Sequence, residues 1–125
     1  MGLQLQSVRL GTPRKPDEGL RIGTVRYLPR GVRKKDLSQL NFFDVWLPAL
    51  APSRSLLAEF RRSGIPINTF FRRYRAEMKQ PECQQLIQLL AKIASRTPLS
   101  IGCYCEDESK CHRSVLFRLI EQPDG

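Results

Sequence analysis

Apolar residues change their spacing several times along this chain, and each change marks an element. Leu5, Val8 and Leu10 alternate loosely with polar neighbours, which predicts a first strand over 4–10. Gly11 to Glu18, with Pro13 and Pro16, reads as a loop. From Leu20 to Leu28 the period is again two. Leu20, Ile22, Thr24, Arg26 and Leu28 share one face, with Val25 and Tyr27 on the other, so a second strand is predicted. Pro29-Arg30-Gly31 ends it, and Lys34-Lys35 opens a short helix. Asn41 to Leu50 is too apolar to be exposed, and Pro48 and Pro52 break it.

The spacing then becomes helical. Ser53 is a good N-cap for a helix presenting Leu56, Leu57 and Phe60, which Gly64 and Pro66 end. Asn68 is read as the cap of a second helix, whose face is Phe70, Phe71, Tyr74 and Met78. Pro81 starts a third, with a stripe of Cys83, Leu86, Ile87, Leu90, Ile93 and Ala94. Thr97-Pro98 breaks it. Leu99 to Cys103 is a short buried strand, and Val115, Leu116, Leu119 and Ile120 mark a last helix. Strands at both ends and helices between predict an α/β fold. It is one domain over 1–125, a small, mostly parallel sheet flanked by helices, with its core in 6–121 and a frayed tail at 122–125.

Length agrees, since 125 residues suit one domain with a real core. No apolar run approaches the ~18 residues a membrane crossing needs, and the N-terminus has no secretory pattern. A cytoplasmic protein without a membrane partner is therefore expected. Charge adds a partner class. The net charge of +9 is concentrated in residues 1–79, which hold 16 basic and 6 acidic side chains; 80–125 hold 5 and 6. Arginine outnumbers lysine 15 to 6, which suits bidentate contact with phosphate or carboxylate. An anionic ligand or a nucleic acid is the implied partner. The bland alternative is a solvated basic surface.

Three of the four cysteines lie between Cys103 and Cys111. In a reducing compartment such clustering points to thiol chemistry or metal binding rather than stapling. Ligands bind beyond the carboxyl ends of strands in open parallel sheets, and Leu99–Cys103 delivers Cys103 and Cys105 to such an edge. Ser109 or Asp107 can cap the following helix, placing Cys111, His112 and Arg113 in its first turn. A thiol there should have a depressed pKa, so Cys111 is the candidate nucleophile, Cys105 its partner in a reversible disulfide, and His112 an acid–base group. The competing reading makes Cys83 and Cys103 packed core residues and His112 a packed or capping one. Zinc is disfavoured. The spacing matches no common finger, and adjacent residues on a helix point ~100° apart, so Cys111 and His112 make an awkward ligand pair. Neither metal nor cofactor is expected. The Cys-to-Arg spacing fails the phosphatase loop, and no Gly-rich phosphate loop is present.

Several segments stand out together: Arg21-Ile22, Arg26-Tyr27-Leu28-Pro29-Arg30-Gly31-Val32 with Lys34, Trp46-Leu47, Leu50-Ala51-Pro52-Ser53, Phe60, Phe71-Arg72-Arg73-Tyr74-Arg75-Ala76-Glu77, and the Cys103-Tyr104-Cys105 and Cys111-His112-Arg113 segment. In combination, from about Ser7 to Ile120, they resemble the domain-of-unknown-function family 488. Leu28 stands where relatives often carry Trp. The resemblance implies a compact α/β fold with the cysteine segment near its functional edge. If the strands are parallel, Arg26 and Arg30 emerge on that edge too, so Arg26, Arg30, Tyr74 and Arg113 can line an anion pocket beside the thiols. Alternatively the arginines pair with Asp44, Glu59 or Glu77. The leading expectation is a reactive cysteine in an arginine-lined pocket performing thiol, redox or sulfur-transfer chemistry. The rivals are a nucleic-acid-binding module that uses the basic N-terminal two thirds, with structural cysteines, and a protein–protein adaptor.

Overall fold

The computed structural model describes residues 3–122. Four short strands, β1 (Leu5–Arg9), β2 (Leu20–Gly23), β3 (Val45–Trp46) and β4 (Leu99–Cys103), pair in the order β1-β4-β2-β3, all parallel. Strand β4 is central, and its five residues are all buried. Both faces of it are covered, as expected of an interior strand of a parallel sheet, so even its serine is buried. Its one polar side chain, Ser100, donates to the Glu18 carbonyl at 2.8 Å.

Helices α1 (Arg54–Ser63), α2 (Ile67–Glu77) and α3 (Pro81–Ala94) connect β3 to β4, and α4 (His112–Glu121) follows the cysteine segment. Ser53 caps α1 by accepting from the Leu56 amide, and Gly64 closes it in the left-handed region at φ 61°. Asn68 does not cap α2. Pro66 holds that position, because its carbonyl already accepts from the Phe70 amide and leaves Asn68 inside the first turn. The predicted helical faces are the buried ones: Leu56, then Phe70, Tyr74 and Met78, then Cys83, Ile87, Leu90 and Ala94. With Leu116 and Ile120 of α4 they form the main core against Leu99 and Ile101. Among the described residues no helix is long and apolar enough to cross a membrane. The tail predicted at 122–125 lies outside the described residues from Pro123 onward.

Two segments differ from expectation in ways that build the site. Strand β2 stops at Gly23, not at Leu28. Its partner β4 ends one residue beyond Gly102, which sits opposite Gly23. Thr24 makes the last contacts, with its amide and hydroxyl both donating to the Gly102 carbonyl. Val25 to Leu28 then leave the sheet and become the wall of a cleft. The apolar segment 41–50 contains β3, an edge strand where Val45 is 40% exposed, while Phe43 and Leu50 are buried. Phe43 and Leu10 lie directly over the Gly23–Gly102 pair. A Cβ on either glycine would meet those side chains at 2.4 Å, so the loops can press onto the sheet only because both positions lack one. Leu10, Val25, Leu37 and Phe43 form a second, smaller core that also encloses Cys103 and Cys111.

Candidate thiol site

Because β2 and β4 run parallel, the chain leaves both at the same edge. That edge carries a cleft of about 680 Å³ whose lining includes Arg26, Arg30, Arg61, Cys103, Cys105 and His112. Of the residues expected to receive an anion, Arg26 and Arg30 are there. Arg61, from the last turn of α1, was not foreseen; an exposed arginine on a helix back carries no signal of where the helix will end in space. Tyr74 and Arg113 do not line the cleft but stand behind it. Tyr74 is fully buried, donates to the Leu50 carbonyl at 2.6 Å and meets the His112 ring edge-on at 5.3 Å. Arg113 is buried and donates to the carbonyls of Val8 and Cys105 and to the sulfur of Cys103.

The sulfurs of Cys103 and Cys111 are 2.6 Å apart, and both residues are buried. Cys105 is exposed beside them. The segment between departs from the expected cap. Asp107 accepts from the amide and hydroxyl of Ser109 within a short 3-10 turn, so neither residue caps α4. Cys111 itself holds the N-cap position, with extended φ −125° and ψ 148°. It is therefore not on the helix, and the ~100° divergence expected between Cys111 and His112 does not arise. Instead Cys103, Cys111 and His112 bring their ligand-type atoms within 4.8 Å of one another.

His112 has a defined tautomer. Its Nε2 lies 2.6 Å from the Thr24 carbonyl, an acceptor, so Nε2 carries the proton. The lone pair is left on Nδ1, which faces the Cys111 sulfur at 3.5 Å. Burial pushes its pKa down from 6.5 to about 4, against the favourable Thr24 contact. His112 is thus neutral at physiological pH and is a hydrogen-bond acceptor rather than a proton donor to substrate. The unfolded chain takes up this proton as pH falls through about 6.5, while the folded chain resists until about 4. Stability is therefore lost across that window on acidification, by on the order of 3 kcal/mol. His112→Gln keeps a donor for Thr24 and removes the titration. Urea midpoints measured from about pH 7 to pH 4 should fall less steeply in that variant than in the wild type.

The three thiols titrate as one unit. Cys105 is shifted well below the ordinary thiol value, chiefly by the neighbouring Cys103 and Cys111 thiols, with smaller help from His112 and Arg113. Cys103 is pushed up to about 11, chiefly by its bond to Cys105. Cys111 rises further, because the neighbouring Cys103 and Cys105 thiols oppose its ionisation and burial adds to this. This corrects the expectation of a depressed Cys111. The helix N-terminus it caps cannot outweigh two neighbouring sulfurs that compete for the same negative charge. Of the three, Cys105, the exposed one, is the thiol shifted toward ionisation.

The basic excess is partly neutralised inside the fold. Arg73 pairs with Glu59, Arg33 with Asp36 and Arg21 with Glu18. Arg14 pairs with Asp44, whose carboxyl it holds at about 2 despite burial. Glu77 accepts from the Ser53 amide and hydroxyl. Among the described residues no carboxylate lies within ion-pair distance of Arg26, Arg30 or Arg61.

Comparison with known proteins places these features in a lineage. A family model described as the active DUF488-N3 subclade matches residues 5–124. The uncharacterized protein YeaO of Escherichia coli (strain K12) is 32% identical over 114 residues, which cover 91% of this chain and 94% of that protein. No solved structure matches.

Proposed function

The chain belongs to the DUF488 family, and on that footing we propose that it is a thiol–disulfide exchange protein acting on an anionic disulfide. The observation that carries this reading is an exposed Cys105 beside the buried Cys103–Cys111 pair, at the mouth of a cleft lined by three arginines. The Cys105 thiolate attacks one sulfur of the substrate disulfide. A protein–substrate disulfide forms and the first substrate thiolate leaves. Cys111 then attacks the Cys105 sulfur, passes its proton to the medium and expels the second substrate thiolate. Exchange with Cys103 moves the bond to the Cys103–Cys111 pair and frees Cys105. The substrate gains two electrons and becomes two thiols; two protein thiols lose them and become a disulfide. Arg26, Arg30 and Arg61 hold the anionic groups of the substrate, and Arg113 stabilises thiolate charge from behind. His112 orients the Cys111 thiol through Nδ1.

The test uses two disulfide probes with the chelator-treated, reduced protein: dithiobisnitrobenzoate, which is dianionic, and neutral dithiodipyridine. The expected result is release of two probe thiolates per protein and a Cys103–Cys111 disulfide on peptide mapping. The anionic probe should gain at least about tenfold over its ratio with a simple thiol, a gain that salt and Arg30→Ala both diminish. Cys105→Ser should lose the fast phase. Equal treatment of the two probes, or a fast phase that survives Cys105→Ser, contradicts the proposal. A loss of signal on titration with oligonucleotide in place of the anionic disulfide would favour the nucleic-acid module instead.

A further inference from the structure

The same segment carries a second chemistry that does not rest on thiol exchange. We propose that the reduced protein binds one zinc ion through Cys103, Cys111 and His112 Nδ1, with a fourth position open to the cleft. All three donors are buried, and all lie within 4.8 Å of one another. Sulfur and imidazole donors in this number are the set zinc prefers, and three protein ligands with one open position is the catalytic rather than the structural arrangement.

The surroundings fit a metal-bound histidine. Such a residue usually donates its other ring N–H to a carbonyl or carboxylate, which fixes the ring and the tautomer. Here Nε2–H donates to the Thr24 carbonyl, and the free lone pair of Nδ1 is turned toward the Cys111 sulfur. Arg113 donates an N–H to the Cys103 sulfur, which favours its thiolate. Two thiolates neutralise the dication, so the buried site carries no net charge of its own. Tetrahedral zinc with sulfurs at about 2.3 Å sets them about 3.7 Å apart. The pair must therefore open by about 1 Å from its present 2.6 Å, a side-chain adjustment. Cys103 and His112 line the cleft, so an ion between them faces it, with Arg30 and Arg61 on the same cleft's wall. A water or an anionic substrate group would take the open position. Metal and disulfide exclude each other, because both use Cys103 and Cys111.

The experiment titrates the reduced full chain with Co²⁺ as the optical probe and Zn²⁺ as its competitor. One equivalent of Co²⁺ should bind with sulfur-to-cobalt charge-transfer bands and intense tetrahedral d–d bands, and Zn²⁺ should abolish them. Cys103→Ser and Cys111→Ser should each remove the charge-transfer signal or halve it, and His112→Gln should weaken binding more than about tenfold. Cys105→Ser should bind within about tenfold of wild type. Zn²⁺ should also raise the urea midpoint of the wild type, a readout that needs no variant to fold. Absence of the tetrahedral spectrum in the reduced wild type overturns the proposal. So does binding that His112→Gln leaves unchanged, or that Cys105→Ser abolishes. Thiol exchange is scored separately, on chelator-treated protein, so either proposal can fail alone.

Discussion

Arg21→Ala should cost roughly 3–5 kcal/mol of folding stability, the largest effect expected of any single charged residue here. The Arg21 side chain is 1% exposed and its partner Glu18 3%. Its guanidinium donates to Glu18 at 2.8 Å and to the carbonyls of Thr12, Asn41 and Pro13. It thereby ties the loop after β1, the start of β2 and the loop before β3 into one knot. Truncation removes the countercharge of a buried carboxylate, which keeps only the Lys15 amide, and the guanidinium donor of three carbonyls, of which Asn41 keeps the Gly11 amide. A buried charge or polar group left short of partners costs far more than its bond contributes. Arg21→Lys should recover little, because an ammonium cannot present the planar fork that reaches four acceptors. Glu18→Gln should cost less than Arg21→Ala, since the amide still accepts from Lys15 and the guanidinium keeps its three carbonyls. Urea unfolding followed by circular dichroism measures all three. A loss under about 1 kcal/mol for Arg21→Ala would mean that water replaces the guanidinium, contrary to its burial.

The second large effect concerns the thiols. In a Cys103→Ala/Cys111→Ala variant, Cys105 should return to the titration of an ordinary thiol, with a midpoint near about 8.5. The neighbouring Cys103 and Cys111 thiols are the leading causes of its depression, and both disappear. Arg113 remains, so any residual depression measures its share. The readout is the midpoint of Cys105 alkylation against pH rather than the rate at one pH, because nucleophilicity falls as the thiolate is stabilised and partly hides the change. A midpoint that stays low in the double variant would move the cause from the sulfurs to Arg113.

Much of the architecture was legible because it follows from local rules. Ser53, Gly64 and Pro81 stand where caps and helix starts require them, and the helical stripes are buried as their spacing demands. The parallel sheet follows from helices lying between the middle and last strands, and a parallel sheet puts Arg26 and Arg30 on the same edge as Cys103. What was not legible depended on partners distant in sequence. The end of β2 at Gly23 is set by where β4 ends, 79 or so residues later. Arg21 sits in a plain alternation, and nothing nearby marks it as the most buried charge in the fold. Cys111 looked like a first-turn residue because Cys-His-Arg begins a helical stripe. Its extended φ and ψ follow the 3-10 turn before it, and in that conformation Cys111 and His112 gather with Cys103. Burial, which the spacing of the cysteines does not show, separates the exposed Cys105 from the buried Cys103 and Cys111.

The proposed chemistry turns on whether Cys105 is a thiolate at neutral pH. The direct measurement is the rate of iodoacetamide modification of Cys105 in the reduced, chelator-treated wild type, followed by peptide mass spectrometry from about pH 4 to pH 10. A midpoint below about 6, with Cys103 and Cys111 unmodified while the fold is intact, is the predicted result. A midpoint above about 8, or prior modification of Cys111, would contradict it.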